Sequence, residues 1–339
     1  MSELDVKKYT AKDFKSDQEV RWCPGCGDHA ILNAVQRAMA ELDHKKEDYA
    51  VISGIGCSSR FPYYMSTYGF HTIHGRAGAI ASGVKTANPN LSVWQITGDG
   101  DALAIGGNHF IHEIRRNVNL NLILFNNEIY GLTKGQYSPT TKIGTKTKTS
   151  PFGTVERTFH IGQLVIGAEG TFFARTLDTN IKHATQVFID TDKFEGTAVV
   201  EVLQNCVIFA DKIHGWVTDK EHKLDRQLFL EHGKKMIFGK DNNKGIAMDH
   251  GKLKVITIGE DGHTEADVLT HDAHIEEPFI HLMLANMAGP DFPVAFGTIR
   301  AVNHKAYDAA VNEQVEAVKA STKFKSMDDV LMSGSTWTI

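Results

Sequence analysis

The sequence predicts an α/β fold in which a parallel sheet is covered by helices on both faces. Apolar runs typical of buried strands occur at residues 49–53, 92–97, 120–125 and 197–203. The first three runs end at turns rich in Gly, Asp or Asn, and segments of helical length lie between the runs. Strands that alternate with helices in this way form a single, mostly parallel sheet.

The N-terminal elements follow this order. A Gly/Pro turn at residues 22–27 precedes a helix beginning at Asp28, in which apolar residues recur every three or four positions. The strand at 49–53 ends in the segment 54–60. The glycine-rich segment 74–79 then begins a helix of small residues. We therefore expect two helices and one buried strand before residue 90.

The next elements repeat the pattern. The strand at 92–97 is followed by a helix at 109–117, and the strand at 120–125 is followed by a polar loop up to about 151. A further strand is predicted near Phe172, and a helix at 181–191 precedes the strand at 197–203. Ligands of such sheets bind beyond the carboxyl ends of the strands. The turns that follow the strands are therefore the predicted location of a functional site.

The chain divides by composition into two parts. We expect residues 1–210 to form the main domain and residues 211–339 to form a smaller extension with its own small core, which contacts another subunit. In the second part, a strand is predicted at 254–258 and a helix at 278–287.

Charge and hydropathy exclude several functional classes. The net charge of −5 provides no basic excess for binding nucleic acid. No apolar stretch reaches the length of a membrane span, and residues 1–15 lack the apolar core of a signal peptide. We therefore expect a cytoplasmic protein that binds neither nucleic acid nor membrane.

Acidic and amide side chains follow two of the predicted strands. Gly98-Asp99-Gly100-Asp101 follows the strand at 92–97, and Asn126-Asn127 ends the strand at 120–125. Glycines let backbone amides approach an anion, and a carboxylate beside a diphosphate requires a bridging cation such as Mg²⁺. The four residues alone indicate only a turn. Their spacing from Asn126-Asn127 resembles the thiamine-diphosphate motif.

Further motifs occur in a fixed order along the chain: Trp22-Cys23-Pro24-Gly25-Cys26-Gly27, Gly54-Ile55-Gly56-Cys57-Ser58-Ser59, His74-Gly75-Arg76, Asn126-Asn127-Glu128-Ile129-Tyr130-Gly131-Leu132-Thr133, Gly135-Gln136 and Ser138-Pro139-Thr140-Thr141. Together they resemble the β subunit of 2-oxoacid:ferredoxin oxidoreductases, most closely the 2-oxoglutarate branch. The resemblance extends from about residue 22 to residue 206 and implies a thiamine-diphosphate-binding fold.

The resemblance implies a role for each matching residue. Mg²⁺ would be bound by the side chains of Asp99 and Asn127 and by the backbone carbonyl of Ile129. The residues expected to line the diphosphate or to close over the cofactor are Ile55, Gly56, Cys57, Ser58, Gly100, Asp101, Gly131 and Leu132. His74 would contact the diphosphate, and a histidine that caps a helix start is the alternative interpretation.

The four cysteines of the chain are Cys23, Cys26, Cys57 and Cys206. A single Cys-x-x-Cys can be a redox dithiol, half of a zinc site or part of an iron–sulfur site. The resemblance implies that all four cysteines bind one 4Fe-4S cluster beside the thiamine. For Cys206, a buried thiol without a ligand is the alternative.

The resemblance also implies a reaction. A 2-oxoacid, here 2-oxoglutarate, would be oxidatively decarboxylated with coenzyme A to succinyl-CoA and CO₂, and electrons would pass through the cluster to ferredoxin, in a reaction that can also run as carboxylation. In this family, the glutamate that activates thiamine comes from the α subunit. We therefore expect activity only with an α subunit, in an assembly of two α and two β subunits.

Arg60 is the predicted determinant of substrate choice. A guanidinium can bind a carboxylate through two hydrogen bonds, as the distal carboxylate of 2-oxoglutarate would require. A surface arginine without a substrate role is the alternative. Two other functions also remain open at this point: the same chemistry on pyruvate or another 2-oxoacid, and a non-catalytic metal-cluster protein. The latter leaves the motif at 98–101 unexplained.

Overall fold

The computed structural model describes residues 8–337. Residues 1–7 and 338–339 lie outside this part, and with them the outer ends of the two expected domains and half of the N-terminal segment 1–15. The strands are β1 (Tyr49–Ser53), β2 (Tyr68–His71), β3 (Ser92–Gly98), β4 (Leu120–Asn126), β5 (Ile129–Tyr130), β6 (Gln136–Tyr137), β7 (Phe172–Leu177), β8 (Thr197–Leu203), β9 (Gln227–Phe229), β10 (Ile237–Phe238), β11 (Lys244–Asp249), β12 (Lys252–Thr257) and β13 (Val294–Ala301).

The α-helices lie between and after these strands. They are α1 (Asp28–Glu41), α2 (Ala77–Ala87), α3 (Asp99–Leu103), α4 (Gly107–Arg116), α5 (Ile161–Gly167), α6 (Ile181–Lys193), α7 (Gly215–Thr218), α8 (Lys223–Arg226), α9 (Phe279–Ala285), α10 (Tyr307–Ser321) and α11 (Met327–Leu331). Short 3₁₀ helices occur at Ala11–Phe14, Lys46–Asp48, Ser58–Tyr64 and Glu265–Asp267.

The main sheet has eight strands in the order β2-β1-β3-β4-β8-β7-β13-β9. Neighbouring strands are parallel except for β13 and β7, which are antiparallel. Every residue of β1, β4, β7 and β8 is buried. Burial along a whole strand is typical of a sheet that is covered on both faces, so the predicted fold class is confirmed.

Helices cover both faces of this sheet. On one face α1 and α6 pack with Trp94 and Phe172 in one core cluster. On the other face α4, α5 and α9 contribute Phe110, Val165 and Leu284 to a second cluster. These packed helices hold the strands in register, so the turns after the strands meet at one edge of the sheet. In the part of the chain that the structure describes, no helix combines the length and the apolar character needed to cross a membrane.

The C-terminal part extends the main sheet and shares its core. Strands β9 and β13 add to the edge at β7. Strands β10, β11 and β12 form a separate antiparallel sheet, and its residues Ile246 and Ile256 belong to the same core cluster as Phe173 of β7. The division at residue 210 stays a prediction.

Candidate functional site

The carboxyl ends of the central strands meet at one edge of the main sheet. Ser53 of β1 pairs with Ile96 of β3, and Gly98 of β3 pairs with Phe125 of β4. Asn126 of β4 in turn pairs with Leu203 of β8. The segments that follow these strands therefore lie next to one another, as the sequence predicts.

These segments enclose a cavity of about 610 Å³. All of the residues that the sequence nominates for the thiamine cofactor and for magnesium line it: Ile55, Gly56, Cys57, Ser58, His74, Asp99, Gly100, Asp101, Asn127, Ile129, Gly131 and Leu132. The structure thus brings these residues together, and the role of each one stays a prediction.

Asp101 connects three segments at the edge of this cavity. Its Oδ1 accepts hydrogen bonds from the backbone N–H groups of Ile55 at 3.2 Å and Gly75 at 2.8 Å. Its Oδ2 accepts one from the hydroxyl of Thr97 at 2.8 Å. The side chain is 3% exposed. Asp101 therefore positions the loops around the cavity through its side chain.

The same carboxylate orients His74. His74 Nδ1 lies 2.6 Å from Asp101 Oδ1, and its half-buried ring lies 6.2 Å, between ring centroids, from that of Tyr130. Tyr130 donates its hydroxyl to the carbonyl of Gly100 at 2.8 Å. A side chain on Gly100 would collide with the Tyr130 ring, since a Cβ would lie 2.2 Å from it. A glycine is therefore required at this position of the motif.

Asp99 is the buried carboxylate on the floor of the cavity. Burial raises its pKa to about 6, although hydrogen bonds from Ser138 and Thr140 act in the opposite direction. Its Oδ2 accepts both hydroxyls, each at 2.5 Å. Within residues 8–337 no side chain donates to Oδ1, and the backbone N–H groups of Gly100 and Asp99 also hydrogen-bond to the carboxylate.

A magnesium ion fits the oxygen atoms present. Asn127 Oδ1 accepts a hydrogen bond from Ile129 N at 3.1 Å and retains a second lone pair. One carboxylate, one amide oxygen and one backbone carbonyl are ligands of the kind that Mg²⁺ uses beside phosphate oxygens. Residues 8–337 contain no group of three or more His, Cys, Asp or Glu side chains that could hold a metal ion. The set of Asp99, Asn127 and Ile129 contains a single carboxylate and is not such a group.

Cys57 and Cys206 both lie close to Gly131. A Cβ on Gly131 would be 3.5 Å from Cys57 Sγ and 3.6 Å from Cys206 Sγ. Cys26 Sγ accepts a hydrogen bond from Gln204 Nε2 at 3.3 Å. Cys23 acts electrostatically on Cys57. The structure therefore brings together cysteines from three distant segments, and none of the four is in a disulfide.

Burial and negative charge raise the pKa of two of these thiols, Cys26 and Cys57. Burial raises the pKa of Cys57 to about 12, with further contributions from Asp28, Cys206 and Cys23. The pKa of Cys26 is raised by burial, the largest cause, and by Asp28, Cys206 and Cys57. Metal binding removes the protons from such thiols. In a 4Fe-4S cluster each iron takes one thiolate, so the four sulfurs need not converge on one point; binding of a cluster by these cysteines stays a prediction.

Asp28 is a residue of the site that sequence reasoning missed. It was predicted only as the start of α1, yet it lines the cavity and is 1% exposed. Burial raises its pKa to about 7. The available signal was its position directly after Cys-x-x-Cys-Gly. No glutamate lines the cavity in the part of the chain that the structure describes.

Arg60 lies outside the lining of the cavity. It is exposed, in the 3₁₀ helix Ser58–Tyr64 that follows Cys57. Its backbone N–H donates to the carbonyl of Cys57 at 3.2 Å, and its side chain makes no hydrogen bond or ion pair with any residue in 8–337. The positive charge of Arg60 lowers the pKa of the Cys57 thiol, whereas burial raises this pKa and is the larger effect. Its guanidinium is therefore unpaired and close to the cysteine loop, and its substrate role stays a prediction.

The site geometry agrees with comparisons to known proteins. The family model of the thiamine pyrophosphate enzyme C-terminal TPP binding domain matches residues 54–202, the part that builds most of the cavity. The chain is similar to a solved structure, 2-oxoglutarate:ferredoxin oxidoreductase from Magnetococcus marinus with 2-oxoglutarate, coenzyme A and succinyl-CoA bound. The TM-score is 0.77, and the identity is 31% with 98% of both chains covered.

Two relatives extend this result. The chain is 39% identical over 216 residues to the beta subunit of 2-oxoacid:ferredoxin oxidoreductase 2 from Aeropyrum pernix. The aligned region covers 63% of this chain and 70% of that protein. It is 43% identical over 336 residues to the 2-oxoglutarate oxidoreductase subunit KorB of Mycobacterium tuberculosis, which covers 97% of this chain and 88% of that protein. Because this similarity extends over nearly the whole chain, the chain belongs to the β-subunit family of 2-oxoacid:ferredoxin oxidoreductases.

Proposed function

We propose that this chain is the β subunit of a 2-oxoglutarate:ferredoxin oxidoreductase. The enzyme converts 2-oxoglutarate and coenzyme A to succinyl-CoA and CO₂ and passes the electrons to ferredoxin. One observation carries the proposal: Cys57 lines the cavity, and Cys57 and Cys206 both lie close to Gly131, which also lines it. A cluster held by these cysteines would lie directly beside a cofactor in the cavity.

The chain provides two binding regions for the cofactors. Asp99, Asn127 and the carbonyl of Ile129 would hold Mg²⁺ and, through it, the diphosphate. Cys23, Cys26, Cys57 and Cys206 would hold the 4Fe-4S cluster. Thiamine diphosphate, when bound, serves as the electron sink for loss of CO₂ from a 2-oxoacid. The task of this chain is to orient the cofactor and to keep the path from cavity to cluster short.

The reaction needs a partner subunit. A carboxylate must contact the aminopyrimidine of thiamine, and no glutamate lines the cavity in residues 8–337. The α subunit would supply this group, in an assembly of two α and two β subunits. A cytoplasmic location is part of the proposal, because the four free thiols suit a reducing compartment.

The substrate follows from charge complementarity. Two proteins that are similar to this chain over most or all of their length are named for 2-oxoglutarate. The distal carboxylate of this substrate needs a cationic partner, and Arg60 presents an unpaired guanidinium near the cysteine loop. We therefore assign 2-oxoglutarate ahead of 2-oxoacids with uncharged side chains.

The deciding experiment uses the complete enzyme. The chain and its α subunit are copurified without oxygen and supplied with thiamine diphosphate, Mg²⁺ and coenzyme A. Ferredoxin reduction is then measured with a panel of 2-oxoacids. We expect the highest kcat/KM for 2-oxoglutarate. Equal or higher values for pyruvate would overturn the substrate assignment, and no reduction with any 2-oxoacid would overturn the function.

A further inference from the structure

A buried turn of hydroxyl side chains lies beneath the predicted magnesium site. It consists of Ser138, Thr140 and Thr141 and is called here the hydroxyl turn. The three residues are only 2–3% exposed. The backbone N–H of Ser138 donates a hydrogen bond to the hydroxyl of Thr141 at 2.8 Å. The turn is therefore closed on itself and held inside the protein.

Two of these hydroxyls converge on one atom. Ser138 Oγ and Thr140 Oγ1 both lie 2.5 Å from Asp99 Oδ2 and donate to it. A carboxylate oxygen that already accepts two hydrogen bonds has no further lone pair directed at a metal ion. Only the other oxygen, Oδ1, is left to coordinate.

The hydroxyl turn also holds the segment that contains Asn127. Thr141 donates its hydroxyl to the carbonyl of Glu128 at 2.6 Å. Glu128 has a φ of 56°, a left-handed conformation that is unfavourable for a residue with a side chain. The hydrogen bond from Thr141 helps to fix this conformation. The turn thus connects both residues that offer side-chain oxygens to the metal.

A chain of buried polar groups of the sheet lies against the turn. Thr140 Oγ1 lies 3.0 Å from Asn126 Oδ1, but the single proton of this hydroxyl is donated to Asp99. Asn126 Nδ2 donates to Glu201 Oε1 at 2.8 Å, and Glu201 Oε2 accepts from Arg175 Nε at 2.8 Å. All of these side chains are less than 9% exposed. The Thr140 hydroxyl therefore packs against a buried hydrogen-bonded network that joins β4, β8 and Arg175 of β7.

We propose that Ser138 and Thr140 are positioning residues that make the enzyme select Mg²⁺ over Ca²⁺. They occupy one oxygen of Asp99 and so restrict this carboxylate to coordination through a single oxygen. Mg²⁺ requires an octahedron of single oxygen contacts at 2.0–2.1 Å, whereas Ca²⁺ accepts six to eight ligands and often takes both oxygens of a carboxylate. The inference rests on the proposed function, since it assumes that a metal–diphosphate complex binds at Asp99.

The proposal predicts a change in metal preference. Without the two hydroxyls, Asp99 can rotate and offer both oxygens. Affinity for Mg²⁺ should fall about 10–100-fold, the usual effect of removing groups that orient a metal ligand. Affinity for Ca²⁺ should fall much less or rise. A loss of general packing would weaken both ions alike, so the ratio of the two affinities separates positioning from a purely structural role.

The test uses the assembled enzyme and three changes at the turn: Ser138→Ala, Thr140→Val and the two combined. Binding of thiamine diphosphate is measured by equilibrium dialysis while Mg²⁺ or Ca²⁺ is titrated, and melting temperatures are recorded in parallel. Thr158→Val is the matched control, because the Thr158 hydroxyl donates only to the carbonyl of Thr141 at 3.2 Å. Thr140→Ser keeps the hydroxyl and should restore the wild-type preference.

We expect the Mg²⁺/Ca²⁺ affinity ratio to fall at least about tenfold in the combined variant and to stay at the wild-type value in Thr158→Val and Thr140→Ser. If the combined variant does not fold, the Mg²⁺/Ca²⁺ affinity ratio of Ser138→Ala alone tests the proposal, and we expect it to fall by a smaller factor. An unchanged ratio, or an equal loss for both ions, would overturn the proposal. Failure of the wild-type enzyme to bind thiamine diphosphate with either ion would instead refute the proposed function.

Discussion

Asp178 fills the space that any side chain on Gly27 would need. A Cβ on Gly27 would lie 1.9 Å from Asp178 Oδ2 and 3.1 Å from Asn205 N. Asp178 Oδ2 accepts a hydrogen bond from Asn205 N at 2.7 Å. Gly27 directly follows Cys26, and Asn205 directly precedes Cys206. The contact therefore fixes how closely two of the cysteine-bearing segments approach each other.

The change Gly27→Ala should separate these segments. Overpacking of a buried contact costs about 1–3 kcal/mol, and we expect most of the bound iron to be lost because Cys26 moves away from Cys206. Iron content and melting temperature of the anaerobically purified enzyme measure both effects. Gly83→Ala is the control, since a Cβ on this residue of α2 meets no atom within 4 Å. Full iron content in Gly27→Ala would show that the spacing is not critical.

The cluster itself can be tested at Cys206. The purified wild-type protein should be brown, with about four irons and four sulfides per chain. Cys206→Ser should lose or degrade the cluster and retain the fold, because the thiol is only partly buried. Iron analysis and circular dichroism report the two properties separately. Stoichiometric zinc without iron in the anaerobic wild-type protein would contradict the assignment.

Removal of the Asp99 carboxylate tests the metal site. Asp99→Ala should abolish binding of thiamine diphosphate, because the diphosphate would lack its bridging cation. Cofactor occupancy after dialysis against Mg²⁺ and thiamine diphosphate is the measurement. Asp249→Ala, at an exposed position of β11, is the matched control and should retain full occupancy. Full occupancy in Asp99→Ala would mean that the metal lies elsewhere.

The role of Arg60 can be measured as specificity. A hydrogen bond to a charged group contributes about 1.5–3 kcal/mol, so Arg60→Met should lower kcat/KM for 2-oxoglutarate about ten- to a hundredfold. The value for 2-oxobutyrate, which has no distal carboxylate, should change far less. Arg37→Met, on the exposed side of α1, is the control. Equal losses for both substrates would assign Arg60 to the cofactor or the cluster, and no loss would assign specificity to the α subunit.

Glu113 should make the stability of the protein depend on pH. This residue of α4 is 3% exposed, accepts one hydrogen bond from Gln95 Nε2 at 3.2 Å and faces the backbone of Gly78. Burial raises its pKa from 4.5 to about 8. Between these values the folded protein keeps a proton that the unfolded chain has lost. Stability therefore falls as pH rises, by about 1.4 kcal/mol per pH unit from this residue.

The variant Glu113→Gln lacks this titration. Its unfolding free energy should rise relative to that of the wild type as the pH is increased from 5 to 8, as measured by denaturant titration at each pH. Glu195→Gln, at an exposed position, should follow the wild type at every pH. A constant difference between Glu113→Gln and the wild type across this range would show that Glu113 is ionised in the folded protein.

Much of the fold follows from local sequence. The limits of β1 and β8 agree with prediction to the residue, because strands buried along their whole length are uninterrupted apolar runs. Strand β2 was missed because all of its residues are exposed. Strand β13 was missed because nothing in its residues shows that it pairs with β7 across more than a hundred residues of chain. Non-local pairing of this kind is decided by packing of the whole molecule.

The same distinction applies to the site. Residues in ordered motifs, such as Asp99 and Cys206, could be nominated because their spacing resembles that of a known family. Ser138 and Thr140 also stand in one of these motifs, but their contact with Asp99 could not be predicted, since only the fold brings them under the carboxylate. Asp28 could likewise not be nominated for the cavity from the sequence. Its burial, and not its residue type, makes it part of the cavity.

The position of β13 has a consequence for synthesis of the chain on the ribosome. β7 is complete long before Val294–Ala301 has been made, yet β13 is the strand that pairs with its outer side. Until then the nascent protein presents an unpaired strand edge, which is a template for association with other chains. The last long strand of the sheet thus covers the exposed edge of β7 and also supplies the edge on which β9 pairs, and a ribosome that stops before residue 294 releases an aggregation-prone product.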